Sequence, residues 1–368
     1  MIESRAAVAF ETGSPLVIET VRFEEPLEHE VLVTMSAAAI CHSDLHTING
    51  PMPYLPMIIG HEAAGVVERV GAGVSSLAPG DAVIFSFIPS CGRCHYCRRG
   101  MTVVCERGPS PAGLPLSGSY RASLRDGTPL AQMQRLGAFS ERTVVHEDSC
   151  MAIPAGVDPK AASLLACGFT TGAAAVTSTA ATREGDSVAV IGAGGVGHAA
   201  VIGAVIAGAS VIIAVDVDER KLESARRFGA TATINATSED WVARVQELTD
   251  GHGADRTISC VTSTAPDQLA ALVRATSRGG MAVMVGSVTG LDRIDLPPRV
   301  LMWEAKTLAG ALFGGHNPQR EQARFLDLYR AGRLPLDELI TATYTLDQVN
   351  EAMDDMAAGR NIRGVIEF

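Results

Sequence analysis

From Ser187 to Val215 the chain reads SVAVIGAGGVGHAAVIGAVIAGASVIIAV, 29 residues without a single Asp, Glu, Lys or Arg. Length and hydropathy would suit a membrane span. Six glycines sit inside it, however, four of them between Gly192 and Gly197, and the flanks are not basic. A strand, a glycine turn, a helix and a second strand explain the stretch better, with VAVI and VIIAV as the strands. Gly192-Ala193-Gly194-Gly195-Val196-Gly197 then matches G-x-G-x-x-G in the setting a dinucleotide-binding turn requires. It follows a strand, opens an apolar helix, and has Asp216 at the end of the next strand. The glycines permit a tight turn and close approach of a pyrophosphate, whose charge meets the helix N-terminus. Asp216 would accept hydrogen bonds from ribose hydroxyls and repel a 2′-phosphate, so NAD is expected over NADP. Arg220 and Lys221 could soften that preference, or simply solvate a helix start.

Outward from this turn, strand and helix alternate. DERKLESARRFGA, ADRTISCV, PDQLAALVRATSRGG and MAVMVGS extend the pattern toward a doubly wound parallel sheet. Residues 1–165 differ. They carry short β-type runs (EVLVTMSAAAI, GHEAAGVVERVG, GDAVIFSFI, FSERTVVHE) punctuated by Pro and Gly, with helical texture returning over 159–180. Residues 106–137 lack periodicity and read as a long loop. After about residue 309 two helices lead to a final strand, RGVIEF. The fold class expected from this pattern is α/β: a β-rich region to about residue 165, then βαβ units from Asp186.

Composition excludes several classes. With 30 Lys plus Arg against 41 Asp plus Glu, the formal charge is −11, which offers no basic surface for nucleic acid or anionic lipid. The N-terminus has no basic region followed by an apolar run, so no secretory leader is expected and the cytoplasm is the expected compartment. That setting disfavours disulfides among the eight cysteines. Four of these, Cys91, Cys94, Cys97 and Cys105, form C-x2-C-x2-C-x7-C. Such spacing lets four thiolates close a tetrahedral structural zinc site. A redox relay or an iron–sulfur cluster would use the same residues, but the irregular, arginine-studded loop suits a zinc-held lobe better. His95, between the ligands, reads as a solvated loop residue.

Three further motifs are unremarkable singly: Cys41-His42-Ser43-Asp44-Leu45-His46, Gly60-His61-Glu62 and Cys167-Gly168-Phe169-Thr170-Thr171-Gly172. With the four-cysteine lobe and the glycine turn, in this order, the chain resembles the zinc-dependent medium-chain alcohol dehydrogenases over essentially its whole length. The resemblance implies a GroES-like catalytic domain from 1–168 plus 311–368, a Rossmann nucleotide domain from 169–310, an active site in the cleft between them, NAD, and two zinc ions per subunit. It implies that Cys41, His61 and Cys167 hold a catalytic zinc, with Glu62 beside it as a nearby or transient ligand and Asp44 orienting His61. Zinc would stabilise the alkoxide of a primary alcohol, whose carbon gives hydride to nicotinamide. The proton would leave through Ser43, a cofactor ribose hydroxyl and His46. His42 and Arg363 would lie near the pyrophosphate, Thr171 near the nicotinamide and Lys221 near the adenosine ribose. His42 in place of arginine removes one fixed charge and could speed cofactor release. Phe87 would line the substrate pocket or belong to the core.

The substrate class stays open at this level between small alcohols and aldehydes and the thiol-dependent (mycothiol or glutathione) oxidation of formaldehyde. A nicotinoprotein that keeps NAD bound is a further alternative. The 106–137 segment could serve as a cofactor lid, a thiol site or an oligomer contact. A non-enzymatic relative is disfavoured, because all three zinc ligands are present. The expected assembly is a homodimer, or alternatively a homotetramer.

Overall fold

The computed structural model describes residues 1–50, 54–108, 114, 116–262, 266–286 and 294–368. The chain forms two compact units, Met1–Cys167 with Gln319–Phe368, and Gly168–Pro318.

The first unit is β-rich. Its hub is the strand Glu30–Ala39, whose residues are almost all buried and which therefore carries apolar or small side chains on both faces. That strand pairs antiparallel with Ala63–Val70, Arg142–His146 and Arg363–Glu367. Ala82–Phe85, Cys150–Ile153 and Ile340–Tyr344 complete a seven-stranded sheet among the described residues. The last of these, ITATY, was not expected from the sequence; it pairs parallel to the C-terminal strand. Ile2–Ala9, Val17–Phe23, Ala122–Ser123, Pro129–Gln132 and Met57–Ile58 close a small barrel. Val33, Phe85, Phe139, Val349 and Ile366 belong to one buried cluster. Removing their apolar surface from water, at about 25 cal/mol per Å2, is what holds the sheet's segments together.

Two expectations need correction here. Residues 106–137 are not all loop: two of the barrel strands and a 3-10 turn at Met133–Arg135 lie within them. Strands of two and four residues are too short to display a period. Arg121 anchors the segment from inside, with Nε donating to Glu30 Oε2 at 3.0 Å and a terminal nitrogen to the Glu25 carbonyl at 2.6 Å. Residues 109–113 and 115 of this segment lie outside the described residues. The return to the first unit also falls later than residue 311, at Gln319. Gly314 presses its backbone onto the helix Gly168–Ala174 of the second unit, so closely that an added Cβ would sit 2.6 Å from the carbonyls of Thr170 and Thr171.

The second unit is a six-stranded, wholly parallel sheet in the order Ala232–Asn235, Val211–Asp216, Ser187–Ile191, Ala254–Ser259, Thr276–Met284, Thr307–Gly310. The order reverses between Ser187–Ile191 and Ala254–Ser259. In open α/β sheets the crevice beyond the strand C-termini at such a reversal is where ligands bind. The uncharged stretch resolves into a five-residue strand, a helix at Gly195–Ile206 and a further strand. Among the described residues no helix is long and apolar enough to cross a membrane.

Candidate active site and nucleotide site

The first site is assembled where neighbouring elements of the β-rich unit end. Cys41 follows the hub strand and begins the helix His42–Asn49. His61 and Glu62 precede the strand Ala63–Val70, and the Ala39 amide donates to the Glu62 carbonyl at 2.7 Å. Gly60 makes the approach possible. Its φ is +93°, and a Cβ there would lie 2.5 Å from the Phe139 ring, so only glycine fits. Arg363 opens the C-terminal strand, held next to Cys41 by the Ile40 amide, which donates to the Gly364 carbonyl at 2.9 Å. Cys167 closes the first run of the unit.

One ligand atom each from Cys41, His61, Glu62 and Cys167 lies within 4.8 Å of the others, and all four residues are buried. Asp44 organises two of them. Its Oδ2 accepts the Cys41 amide at 2.9 Å, and its Oδ1 meets His61 Nδ1 at 2.7 Å. With Nδ1 so engaged, Nε2 is the nitrogen that faces the cluster, the orientation that a carboxylate behind a ligating histidine imposes. Phe87 packs edge-to-face on the His61 ring, with centroids 5.8 Å apart. A hydrogen bond from Cys167, aided by His61, draws the Cys41 thiol well below its ordinary value, while the same bond and burial push Cys167 up. Burial raises the Glu62 carboxyl to about 7 against the pull of Arg363. Two sulfurs and one imidazole, buried and braced by a carboxylate, are donors that suit a zinc ion with a position left open.

Arg363 has a partner that the sequence did not reveal. Its guanidinium forms a buried ion pair with Glu62, and its Nε has no partner. His42, Ser43 and His46 are exposed on the helix His42–Asn49, with the two histidine rings 6.4 Å apart. Ser43 and His46 lie three residues apart and so share a face.

The second cluster is local. Cys91, Cys94, Cys97 and Cys105 bring their sulfurs within 4.8 Å of one another. Cys105 Sγ lies 3.9 Å from Cys94 Sγ and 3.6 Å from Cys91 Sγ. A tetrahedron with Zn–S bonds of ~2.3 Å has edges of roughly 3.8 Å, so four thiolates around one ion fit this spacing. Backbone amides of Cys91 and Arg107 donate to Cys105 Sγ, at 3.5 and 3.4 Å. The amides of Glu106 and Cys97 pull the Cys94 thiol down to about 6. None of the eight cysteines is in a disulfide. His95 is exposed, with its ring against Tyr96.

In the second unit the three motif glycines have three different reasons. Gly192 has φ +94° and no room for a Cβ, which would meet Val261 at 2.5 Å; Gly197 would drive a Cβ to 1.8 Å from the Gly192 carbonyl. Gly194 faces open space, the vacancy through which a phosphate could reach the backbone. Gly195 and Val196 form the first helical turn and stay partly exposed. Asp216 Oδ2 accepts the Ala193 amide at 2.6 Å, and Oδ1 accepts the amides of Val217 and Asp218. A cavity of about 290 Å3 opens beside Gly192 and Asp216, walled by Val217, Trp241 and Val261. Lys221 and Thr171 are half-buried, on the helices Glu219–Arg227 and Gly168–Ala174. Arg220 is taken up by Asp218. The glycine cradle and the adjacent carboxylate fit a dinucleotide. Sequence reading passed over His198, which is buried directly behind this turn.

Comparison with known proteins identifies the family. Residues 27–155 match the alcohol dehydrogenase GroES-like domain, and residues 195–330 match the zinc-binding dehydrogenase domain. An NDMA-dependent alcohol dehydrogenase of Amycolatopsis methanolica is 40% identical, covering 99% of both chains. The chain belongs to the zinc-dependent medium-chain alcohol dehydrogenases. A probable S-(hydroxymethyl)glutathione dehydrogenase of Schizosaccharomyces pombe is 38% identical, over 100% of this chain and 97% of that one. The crystal structure of benzyl alcohol dehydrogenase from Acinetobacter calcoaceticus superposes with a TM-score of 0.92 at 29% identity, covering 100% of both chains. As a member of this family the protein is an oxidoreductase that acts on small-molecule alcohols and aldehydes with zinc and NAD. The GroES-like and Rossmann architecture that the resemblance implied is the observed one.

Proposed function

We propose that the dehydrogenase oxidises primary alcohols to aldehydes at the Cys41–His61–Cys167 cluster, using NAD. The observation that carries the reading is the convergence of those ligand atoms with Glu62 within 4.8 Å, with Asp44 fixing His61 from behind. Zinc held there would supply a Lewis acid that brings the proton loss of an alcohol toward neutral pH, and NAD would supply the hydride acceptor. Cys91, Cys94, Cys97 and Cys105 hold the structural ion. Asp44 keeps Nε2 of His61 aimed at the cluster. Arg363 opposes the burial that raises Glu62 and so offsets part of the cost of placing a carboxylate there. Arg363 and His42 would serve the pyrophosphate. Ser43 and His46, both exposed on one helical face, form the route by which the alcohol's proton reaches solvent. Gly192–Gly197 and Asp216 bind the pyrophosphate and adenosine ribose, Lys221 assists at the ribose, and Thr171 serves the nicotinamide. Phe87, seated on His61, lines the substrate side and favours apolar alcohols, aromatic ones included.

A second reading concerns the cofactor. The 40% identity with an NDMA-dependent enzyme favours an NAD that stays bound through turnover. A homodimer is supported by the strand Thr307–Gly310, which ends the parallel sheet. The helix before it exposes Met302 at 73% and Trp303 at 80%. Eight unpaired cysteines suit a reducing cytoplasm.

The test is NADH formation at 340 nm with added NAD and a panel of primary alcohols, with and without formaldehyde plus a low-molecular-weight thiol. Turnover of plain alcohols is expected. Turnover only with thiol and formaldehyde would move the enzyme to the thiol-dependent class. Silence in both, with nucleotide released on denaturation, would establish the retained cofactor.

A further inference from the structure

His198 follows directly on the third glycine of the turn, one helical turn after Gly194, and is 1% exposed. Its ring reaches two elements. Nδ1 lies 3.0 Å from the Gly194 carbonyl, and Nε2 lies 2.9 Å from Ser224 Oγ on the helix Glu219–Arg227. A carbonyl can only accept, so Nδ1 carries the proton and Nε2 accepts from the Ser224 hydroxyl. The ring stands edge-on to Phe228 at 5.4 Å, which fixes its plane. Burial lowers the affinity of this ring for a second proton, in keeping with that neutral tautomer.

The consequence concerns the phosphate cradle. The turn Gly192-Ala193-Gly194 is gripped from two sides. The Asp216 carboxylate takes the Ala193 amide, and His198 takes the Gly194 carbonyl. Gly194 is the glycine with open space above it, where an anion would approach. The Gly194 carbonyl also accepts the His198 backbone amide at 2.8 Å, so the ring adds a second donor that holds this carbonyl from the inside. Through Ser224 the same ring ties the turn to the helix that begins just beyond Asp216. We propose that His198 is a positioning residue for the dinucleotide: its Nδ1 bond to Gly194 holds the turn in the phosphate-accepting conformation, and Ser224 holds His198. This rests on the reading of Gly192–Gly197 as the NAD site. It goes beyond that reading by assigning part of the cofactor's affinity to a buried side chain that does not touch the cofactor.

The two arms of the ring can be separated by substitution. In His198→Asn the side-chain amide can occupy the place of Nδ1 and keep the Gly194 bond while losing the reach to Ser224. In His198→Gln the amide extends to the place of Nε2 and loses Gly194. His198→Leu loses both. Ser224→Ala leaves the Gly194 arm intact and is the variant least able to disturb folding. The experiment titrates zinc-replete enzyme with NADH by fluorescence, and counts retained nucleotide after denaturation. The expected result is a Kd weaker by about tenfold in His198→Leu and His198→Gln, the worth of one hydrogen bond. Affinity should be largely recovered in His198→Asn, and Ser224→Ala should show a loss of about threefold or less. The KM for NAD should follow Kd while the KM for alcohol, kcat at saturating NAD and zinc content stay within about twofold. Asparagine and glutamine variants equally impaired, or a leucine variant that binds like the unmodified enzyme, would overturn the proposal. An unmodified enzyme that neither binds added NADH nor releases nicotinamide nucleotide on denaturation would instead overturn the cofactor reading beneath it.

Discussion

The two cysteine-containing clusters are built from similar donors and by opposite means. Cys91, Cys94, Cys97 and Cys105 come from fifteen consecutive residues, and two of the four are only half-buried. Backbone amides of the same loop solvate their sulfurs. Cys41, His61, Glu62 and Cys167 come from three separated segments, are all buried, and are held by side chains of Asp44 and Arg363. A local loop can fold around an ion with little help from the rest of the chain, which suits a site that only holds structure. A site assembled from strand ends inherits its geometry from the sheet, which suits chemistry requiring fixed distances and excluded water. The difference also predicts that damage to the first cluster appears as lost stability, and damage to the second as lost turnover.

The largest effect that would test this contrast is Cys167→Ser. Turnover should fall by at least about a thousandfold, equivalent to several kcal/mol of transition-state stabilisation, while NADH binding and Tm change little. Near-normal turnover would remove the catalytic assignment. Asp44→Asn should cost about 10- to 100-fold in turnover or zinc affinity, because the ligand remains but its orientation and basicity do not. Metal analysis of the purified variant, beside its kcat, separates those two losses. Cys97→Ser should show the reverse pattern: one zinc fewer per chain and a Tm lower by roughly 10 °C, with kcat per folded molecule nearly intact. An unchanged melting curve with one zinc missing would break the structural half of the comparison. The smallest effect is expected at Phe87→Ala, a few-fold rise in KM confined to aromatic alcohols, read from a series of substrates of graded size. Equal effects on ethanol and benzyl alcohol would place Phe87 in the core.

Much of this was legible in order along the chain. The glycine turn, the four-cysteine lobe and the strand–helix alternation are local patterns, and each lies in the structure where its spacing put it. Cys41, His61, Glu62 and Cys167 stood out only through their order relative to those motifs, since nothing within each short segment distinguishes a ligand from a core residue. The strands Ala122–Ser123, Pro129–Gln132 and Ile340–Tyr344 escaped notice because two to five residues carry too little period. Arg363 read as a cation for a phosphate, and its pairing with Glu62, 301 positions away, could not be read from either residue's neighbours.

The order of residue types along the chain carries the chemistry: two donor sets that suit a metal, a glycine turn of the kind that cradles phosphate, and an acidic residue at the spacing that suits a ribose. How those groups are held follows from the fold. The hub strand brings Cys41, Glu62 and Gly364 together through backbone ladders. It is burial there that lets Asp44 brace His61 and makes Arg363 the counter-charge of Glu62, and burial again that turns His198 from a polar helix residue into a brace behind the glycine turn. Hydrogen bonds between residues distant in sequence depend on where the chain places them in space, and that placement is set by the summed burial of apolar surface across the sheets rather than by any one motif.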